Sequence, residues 1–478
     1  MREGDEKFVY NIFKRNINLL VIIIIFIIIC CGYIITLPVF EAPDEPGHFL
    51  YAFYISKYNR IPSYYEEPVS EIDYIKENID KDTNAVFYMD EKYMFYKWPW
   101  TNNRYSSQRH HPPLYYIISS QIIKPFKVND IYIEDNYENF REPGVYNSFI
   151  NNKILEDWSP TIKLVLSLRL FQILYGIGII IFLFKIIKLI TGDKLKDNSI
   201  FLISSVAFLP QFVFLCSYIN NDLPAALFGL ISVYFSVLLF KREKIYFGVL
   251  SILFAIIASL TKLNLLIMIP IAVVTFFVWL ILEKKTLQIL LLFSILLLGA
   301  VAIFYIFFRL ELSSTYFEKY FIPVIRGTIL KFRDNFSLDR YKASVLIAFK
   351  SSVAFFGWMN IPVHNFVYYF YLAFIISGIL LFFSNVKKFR NNYKILAFIS
   401  VTIVLIFIFF SVYMVYSGYT QHMGRVIFLA VILVFLLAIL GYLNLKNSFR
   451  RLFCYGIFSY FVLINLFCLY NYIFKSYY

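Results

Sequence analysis

The chain has 478 residues, of which 60% are hydrophobic, 21% aromatic and only 16% charged, and its formal net charge is +14. A water-soluble fold of this length cannot bury so much apolar surface, so the excess must face lipid. The basic residues fall in short clusters between apolar runs, which speaks for cytoplasmic loops and against nucleic acid as a partner.

Lys14 and Arg15 precede the first apolar run, 17–37. It is about twice the length of a signal-peptide core and lacks a small-x-small cleavage site, so it is expected to stay as the first membrane helix. Further runs of spanning length follow at 164–184, 199–219, 223–240, 245–261, 263–282, 287–308, 366–384, 395–413, 426–444 and 452–471. The prediction is an all-α polytopic membrane protein with about eleven transmembrane helices, forming a single transmembrane domain over 1–478. Clusters at Lys185 to Lys196, Lys241 to Lys244, Lys284 and Lys285, Lys387 to Lys394, and Lys446 to Arg451 alternate with less basic connections and are assigned to the cytoplasm. Lys262 and Arg425 fall in connections on the other side and need a reason. The same alternation puts a large first loop, 38–162, and a second loop, 309–365, outside a cell (plasma) membrane crossed many times.

Within the first loop, Pro46 to Lys57 and Pro112 to Ile123 read as short helices opened by proline. Their apolar stripes, Phe49, Leu50 and Phe53 in one and Leu114, Ile117 and Ile118 in the other, suit the outer membrane interface. The stretch 63–110 reads as irregular, and 342–358 as interfacial, re-entrant or spanning. All five cysteines lie in apolar runs, so neither a disulfide nor a cysteine metal site is expected in the loop.

Polar residues with chemical potential gather at outer helix ends. Asp44-Glu45-Pro46-Gly47-His48 places two carboxylates and a histidine at a proline-started helix, either as a catalytic or metal-binding group or as an acidic helix start favoured by the dipole. Asp44 is the preferred base, because Glu45 sits nearer the cap position, where backbone N–H groups would occupy it. Arg109-His110-His111-Pro112-Pro113 is an anion site at a helix start or an aromatic and basic interface anchor. Gln421-His422-Met423-Gly424-Arg425 offers an arginine either to an anion or to lipid headgroups by snorkelling, and Lys262 before Asn264 shares that ambiguity. Asn220-Asn221-Asp222 reads chiefly as a helix cap. Asp44, Glu45 and His48 leave a divalent cation possible as cofactor, with none assigned.

The segments "APDEPGHFLYAFYISKYNRIP", "HHPPLYYIIS", "NND", "TKLN", "FFGWMNIP" and "QHMGR", in that order, resemble a family of predicted polytopic membrane proteins of bacteria and archaea within the GT-C glycosyltransferase superfamily. The superfamily is similar to protein O-mannosyltransferases and the lipid A aminoarabinose transferase. The resemblance implies a GT-C-like fold and an inverting transfer of a sugar from a polyprenyl-phosphate carrier to a hydroxyl of a glycan, lipid or protein acceptor on the extracytoplasmic side. It makes Asp44 and Glu45 the catalytic candidates and His48, His110, His111, Lys262, Gln421 and Arg425 the candidates for donor phosphate or substrate binding. Asn360 and Val426 depart from the family pattern, which has an acidic residue and an aromatic there. The rival classes are a transporter or flippase of lipid-linked sugars, which would place ionisable residues mid-helix, and an O-antigen-type polymerase or ligase, whose large loop comes late. Arg169 is the main ionisable residue inside a predicted span.

Overall fold

The computed structural model describes residues 3–61 (side chains from 17), 111–128, 134–135, 149–150, 159–192, 197–284, 336–357, 359–417 and 423–478. In chain order the helices begin with α1 (Glu3–Thr36), α2 (Glu45–Tyr58), α3 (Leu114–Ile123) and α4 (Pro160–Thr191). Next come α5 (Ser204–Ala207), α6 (Pro210–Leu215), α7 (Asp222–Arg242), α8 (Ile245–Thr261) and α9 (Met268–Leu282). The last are α10 (Leu338–Val353), α11 (Asn365–Ser384), α12 (Tyr393–Tyr416), α13 (Phe428–Tyr442) and α14 (Asn447–Cys468). Two short antiparallel pairs interrupt them: β1 (Glu134–Asp135) with β2 (Phe149–Ile150), and β3 (Phe355–Phe356) with β4 (Ile361–Pro362).

Among the described residues, eight helices are long and apolar enough to cross a membrane, and they point to a multi-pass membrane protein. They match the predicted runs at 17–37, 164–184, 223–240, 263–282, 366–384, 395–413, 426–444 and 452–471. The run 245–261 forms a shorter helix of 17 residues, α8, and 287–308 lies outside the described residues.

The run 199–219 departs from the expectation of one continuous helix. It is a 3-10 turn (Asp197–Ile203) followed by α5 and α6. Pro210 has no N–H and cannot continue the helix before it, so carbonyls are released at the break. Tyr371 Oη donates to the Phe208 carbonyl at 3.0 Å, and Asn465 Nδ2 donates to it as well. After α6, Asn220 Nδ2 donates to the carbonyls of Leu215 and Tyr218 at 2.7 and 2.8 Å. The segment is buried throughout. Irregular backbone at membrane depth is tolerated where protein encloses it.

The segment 342–358 is also resolved into parts. α10 is a 16-residue helix outside the spanning set, burying Ser344, Ala348, Ser351, Ser352 and Val353, and a β3–β4 hairpin follows it. α11 and α13 touch backbone to backbone, since a Cβ on Gly441 would fall 1.9 Å from the Gly378 carbonyl oxygen. Small residues permit such approach between membrane helices.

The two loop helices behave differently from each other. α2 is enclosed on every side, with Glu45 through Ile55 all buried, so it is not the one-sided interfacial helix its stripe predicts. α3 buries Tyr115, Tyr116, Ser119, Ser120 and Ile123 and turns Ile117 outward. Its polar and aromatic face is the inner one, as suits a helix with an apolar exterior medium.

Candidate active site

The loop between α1 and α2 turns sharply. Phe40 and Asp44 both have left-handed backbone, φ 69° and 62°, a conformation that costs a non-glycine residue about 1–3 kcal/mol and that aspartate tolerates better than phenylalanine. The turn sends the consecutive carboxylates of Asp44 and Glu45 to different partners.

Glu45 goes to Arg169 on α4. Arg169 Nε and Nη2 donate to the two Glu45 oxygens at 2.8 and 2.7 Å, and both side chains have no exposed surface. Nη1 and Nη2 also donate to the Leu37 and Pro38 carbonyls at 2.5 and 2.8 Å, just past the end of α1. The Phe40 and Ile219 N–H groups complete the carboxylate, each at 3.0 Å. A buried pair with every lone pair and proton occupied fixes its surroundings. Arg169 therefore has a counter-ion, as an intramembrane arginine requires, and the pair ties α1, the start of α2, α4 and the Ile219 segment together.

Asp44 occupies the N-cap position of α2 but its side chain caps nothing. Its carboxylate accepts a hydrogen bond from Arg425 Nη2, while Arg425 Nη1 donates to the Pro43 carbonyl at 3.3 Å. Arg425 is held there by the turn before α13. The Gly424 N–H donates to Ser351 Oγ at 2.7 Å, and a Cβ on Gly424 would meet the Ala348 carbonyl oxygen at 2.4 Å. Only glycine lets this turn lie so close to α10. Asn264 Nδ2 donates to the Val426 carbonyl at 2.8 Å from the α8–α9 connection.

That connection also brings in Lys262, whose Nζ lies 2.5 Å from Asp222 Oδ1 at the start of α7. Asp222 Oδ2 in turn lies 3.9 Å from Arg425 Nη1. The charges alternate as Lys262, Asp222, Arg425, Asp44. Asp44 is 39% exposed whereas Arg425 and Asp222 are 9% and 1% exposed, so the cluster is deep and Asp44 is its most accessible member.

A ring of polar and aromatic groups surrounds the cluster. His48 Nδ1 lies 2.9 Å from Tyr116 Oη, and the His48 ring stacks on His111 with centroids 5.9 Å apart. Asn221 Nδ2 donates to Tyr116 Oη at 3.4 Å and to the Thr261 carbonyl at 3.3 Å. Among the described residues, two buried acceptors in this region, Asn221 Oδ1 and Asp222 Oδ2, have no hydrogen bond. A buried donor or acceptor left so costs about 1–3 kcal/mol, and such groups gathered at one place mark a site built to meet a polar ligand.

The protonation states follow from these neighbours. Burial pushes the Asp44 carboxyl up, but Arg425, His48, the Arg425 hydrogen bond and Lys262 together hold it below the ordinary value. Burial lowers His48 far below the usual imidazole range, and His111 adds to this against the opposing pull of Asp44. Burial also lowers Lys262, with Arg425 in the same direction and Asp222 opposing.

Of the predicted site residues, Asp44, His48, His111, Lys262 and Arg425 converge here, Glu45 faces Arg169 instead, and His110 and Gln421 lie outside the described residues. Asp44, Glu45 and His48 are not gathered as a metal triad, and among the described residues no group of three His, Cys, Asp or Glu side chains could hold a metal ion. Asp222, read chiefly as a cap, is a central member; the cap role falls to Asn220, whose Oδ1 accepts from the Leu223 N–H at 3.0 Å. Tyr116 and Tyr218 carried no assigned role in the sequence reading, although a tyrosine beside a charged turn is a signal that could have been used. No protein-family model matches the chain, and no curated protein matches it.

Proposed function

We propose that this protein is an inverting, GT-C-like glycosyltransferase of the cell (plasma) membrane that moves a sugar from a polyprenyl-phosphate carrier to a hydroxyl acceptor on the extracytoplasmic side. The observation that carries the reading is the accessible carboxylate of Asp44 on the buried guanidinium of Arg425, with Lys262 and Asp222 behind it. A base and two cations at one helix-end cluster are what displacement at an anomeric carbon with a phosphate leaving group needs. The ordered motifs that resemble the GT-C superfamily supply the reaction class.

In this reading the carrier phosphate binds Arg425 together with Lys262 and His111. The phosphate competes with Asp44 for the guanidinium. Asp44 then loses the neighbour that depresses its pKa and becomes a better base as the donor arrives. It takes the acceptor hydroxyl proton while that oxygen attacks the anomeric carbon. The bond from that carbon to the phosphate oxygen breaks, and its electron pair leaves with the lipid phosphate, whose negative charge the two cations stabilise. One displacement inverts the anomeric centre. Glu45 is a positioning residue held by Arg169, and His48, kept neutral by burial, orients Tyr116 beside the site.

The test is the reconstituted full chain supplied with polyprenyl-phosphate sugars and a membrane extract as acceptor, scored for release of polyprenyl phosphate. Asp44→Asn should fold normally and lose about 10²- to 10⁴-fold of the transfer rate. Retention of more than about a tenth of the rate would rule Asp44 out as base. A wild-type protein that moves lipid-linked sugar across the bilayer without consuming it would be a flippase, and the transferase reading would fall.

A further inference from the structure

The opposite end of the bundle holds a second arrangement that the transfer reaction does not use. α7 runs from Asp222 to Arg242, 21 residues, so its far end lies about 31 Å from the charged cluster. There the ends of α4, α7 and α13, the start of α14 and the turn Val386–Asn392 surround a cavity of about 660 Å³. That is within the size range of small-molecule sites, about 300–1,000 Å³.

Three cations line it, Lys241, Lys388 and Arg450, and among its described lining residues there is no carboxylate. Neutral groups hold two of the cations in place. Arg450, 9% exposed, donates through Nη1 to the Leu443 carbonyl and through Nη2 to Asn447 Oδ1, both at 2.7 Å. Lys241 Nζ donates to Asn392 Oδ1, and the Asn392 amide is itself fixed by donating to the Ile190 carbonyl at 2.7 Å. Lys388 is exposed at the rim. At the Asp44 end, by contrast, both Lys262 and Arg425 face carboxylates.

Like charges converging on a partly enclosed space repel one another with less screening than in bulk water, and an anion relieves that repulsion. A guanidinium offers paired donors that fit phosphate oxygens, two ammonium groups add point charge, and asparagine amides supply further donors. We propose that this cavity is a phosphate-binding site, separate from the transfer site and occupied by the headgroup of an anionic lipid or by a free phosphate. Ordinary topology signals need cations near a membrane surface but do not need a cavity or a buried asparagine, here Asn392, to orient them.

The experiment uses the full chain in nanodiscs and in detergent. Binding of phosphatidylglycerol and of phosphatidylcholine is measured by native mass spectrometry, and binding of inorganic phosphate by thermal shift. The expected result is preferential retention of phosphatidylglycerol, weakened roughly five- to tenfold by Lys388→Gln and by Arg450→Gln and unchanged in Lys188→Gln, a basic residue of α4 that does not line the cavity. Arg450 also holds a backbone carbonyl, so Lys388→Gln is the variant that separates binding from folding. Phosphate stabilisation with the same dependence on Lys388, without lipid preference, would support the site and assign it to a soluble phosphate. Equal losses in Lys188→Gln and Lys388→Gln, or no preference for either probe over phosphatidylcholine, would overturn the proposal in favour of diffuse surface charge. Neither result depends on sugar transfer.

Discussion

Asp44 and Glu45 are adjacent, and each faces an arginine, yet the two pairs are built for opposite purposes. Glu45 and Arg169 have no exposed surface, and both carboxylate oxygens accept two hydrogen bonds. Asp44 is 39% exposed, and among the described residues Asp222 Oδ2 and Asn221 Oδ1 beside the pair are buried without a hydrogen bond. A saturated pair is a fastener. An unsaturated one can exchange its partner for a ligand, and the first, one residue along the chain, holds the second at a constant depth and direction.

The comparison can be broken most severely at Arg169. Arg169→Leu leaves Glu45 as an uncompensated buried charge and frees the Leu37 and Pro38 carbonyls, so it should destabilise the protein by about 3–5 kcal/mol, read as a large loss of folded protein in detergent or in a denaturant titration. Asp44→Asn, at a partly exposed and unsaturated pair, should change stability by no more than about 1 kcal/mol. Equal effects of the two substitutions would erase the distinction between fastener and ligand site.

A smaller effect is expected at Arg425. Arg425→Gln removes the cation that faces both Asp44 and Asp222, and binding of polyprenyl phosphate should weaken about 10- to 100-fold, a loss of about 1.4–2.8 kcal/mol. Binding as tight as wild type would return Arg425 to a headgroup anchor. Asp222→Asn, which leaves Arg425 with Asp44 alone, should alter carrier affinity by less than Arg425→Gln does.

Much of the helical framework was legible because long apolar runs bounded by basic clusters carry their own signal. The exceptions have local causes that a hydropathy average hides. In 199–219 the apolar residues outweigh Pro210, which breaks the helix, and the side chains that repair the break, Tyr371 and Asn465, come from the second half of the chain. The stripe of α2 suggests one buried face, whereas burial on all sides depends on packing that no local period encodes. At the site, Lys262 and Arg425 stand out as cations on the disfavoured side, and Asp44 as a carboxylate before a proline-started helix. Their pairing across 381 residues, and the place of Asp222 between Lys262 and Arg425, required the fold. Arg169 and Glu45 were both visible, and the rule that an intramembrane cation needs a counter-ion could have joined them.

The smallest effect is a pH dependence that tests how closed the wall of the site is. His48 lies in α2, 2% exposed, facing Tyr116, His111, Asp44, Lys262 and Arg425. Burial first, and His111 next, lower its pKa far below the ordinary 6.5, while Asp44 opposes them. Below pH 6.5 the unfolded chain therefore takes up a proton that the folded chain refuses, and the unfolded state gains. Stability should fall as the pH drops from about 7 to about 5, with a slope of up to about 1.4 kcal/mol per pH unit from this group. His48→Gln keeps a polar group near Tyr116 without a titrating ring, so its unfolding midpoint should fall less over the same interval. Depression of the Asp44 carboxyl keeps that group ionised through this window, and its own contribution is lost only at lower pH. Identical pH profiles for wild type and His48→Gln would mean that water reaches the imidazole, and the burial of the His48–Tyr116 side of the site would not hold in solution.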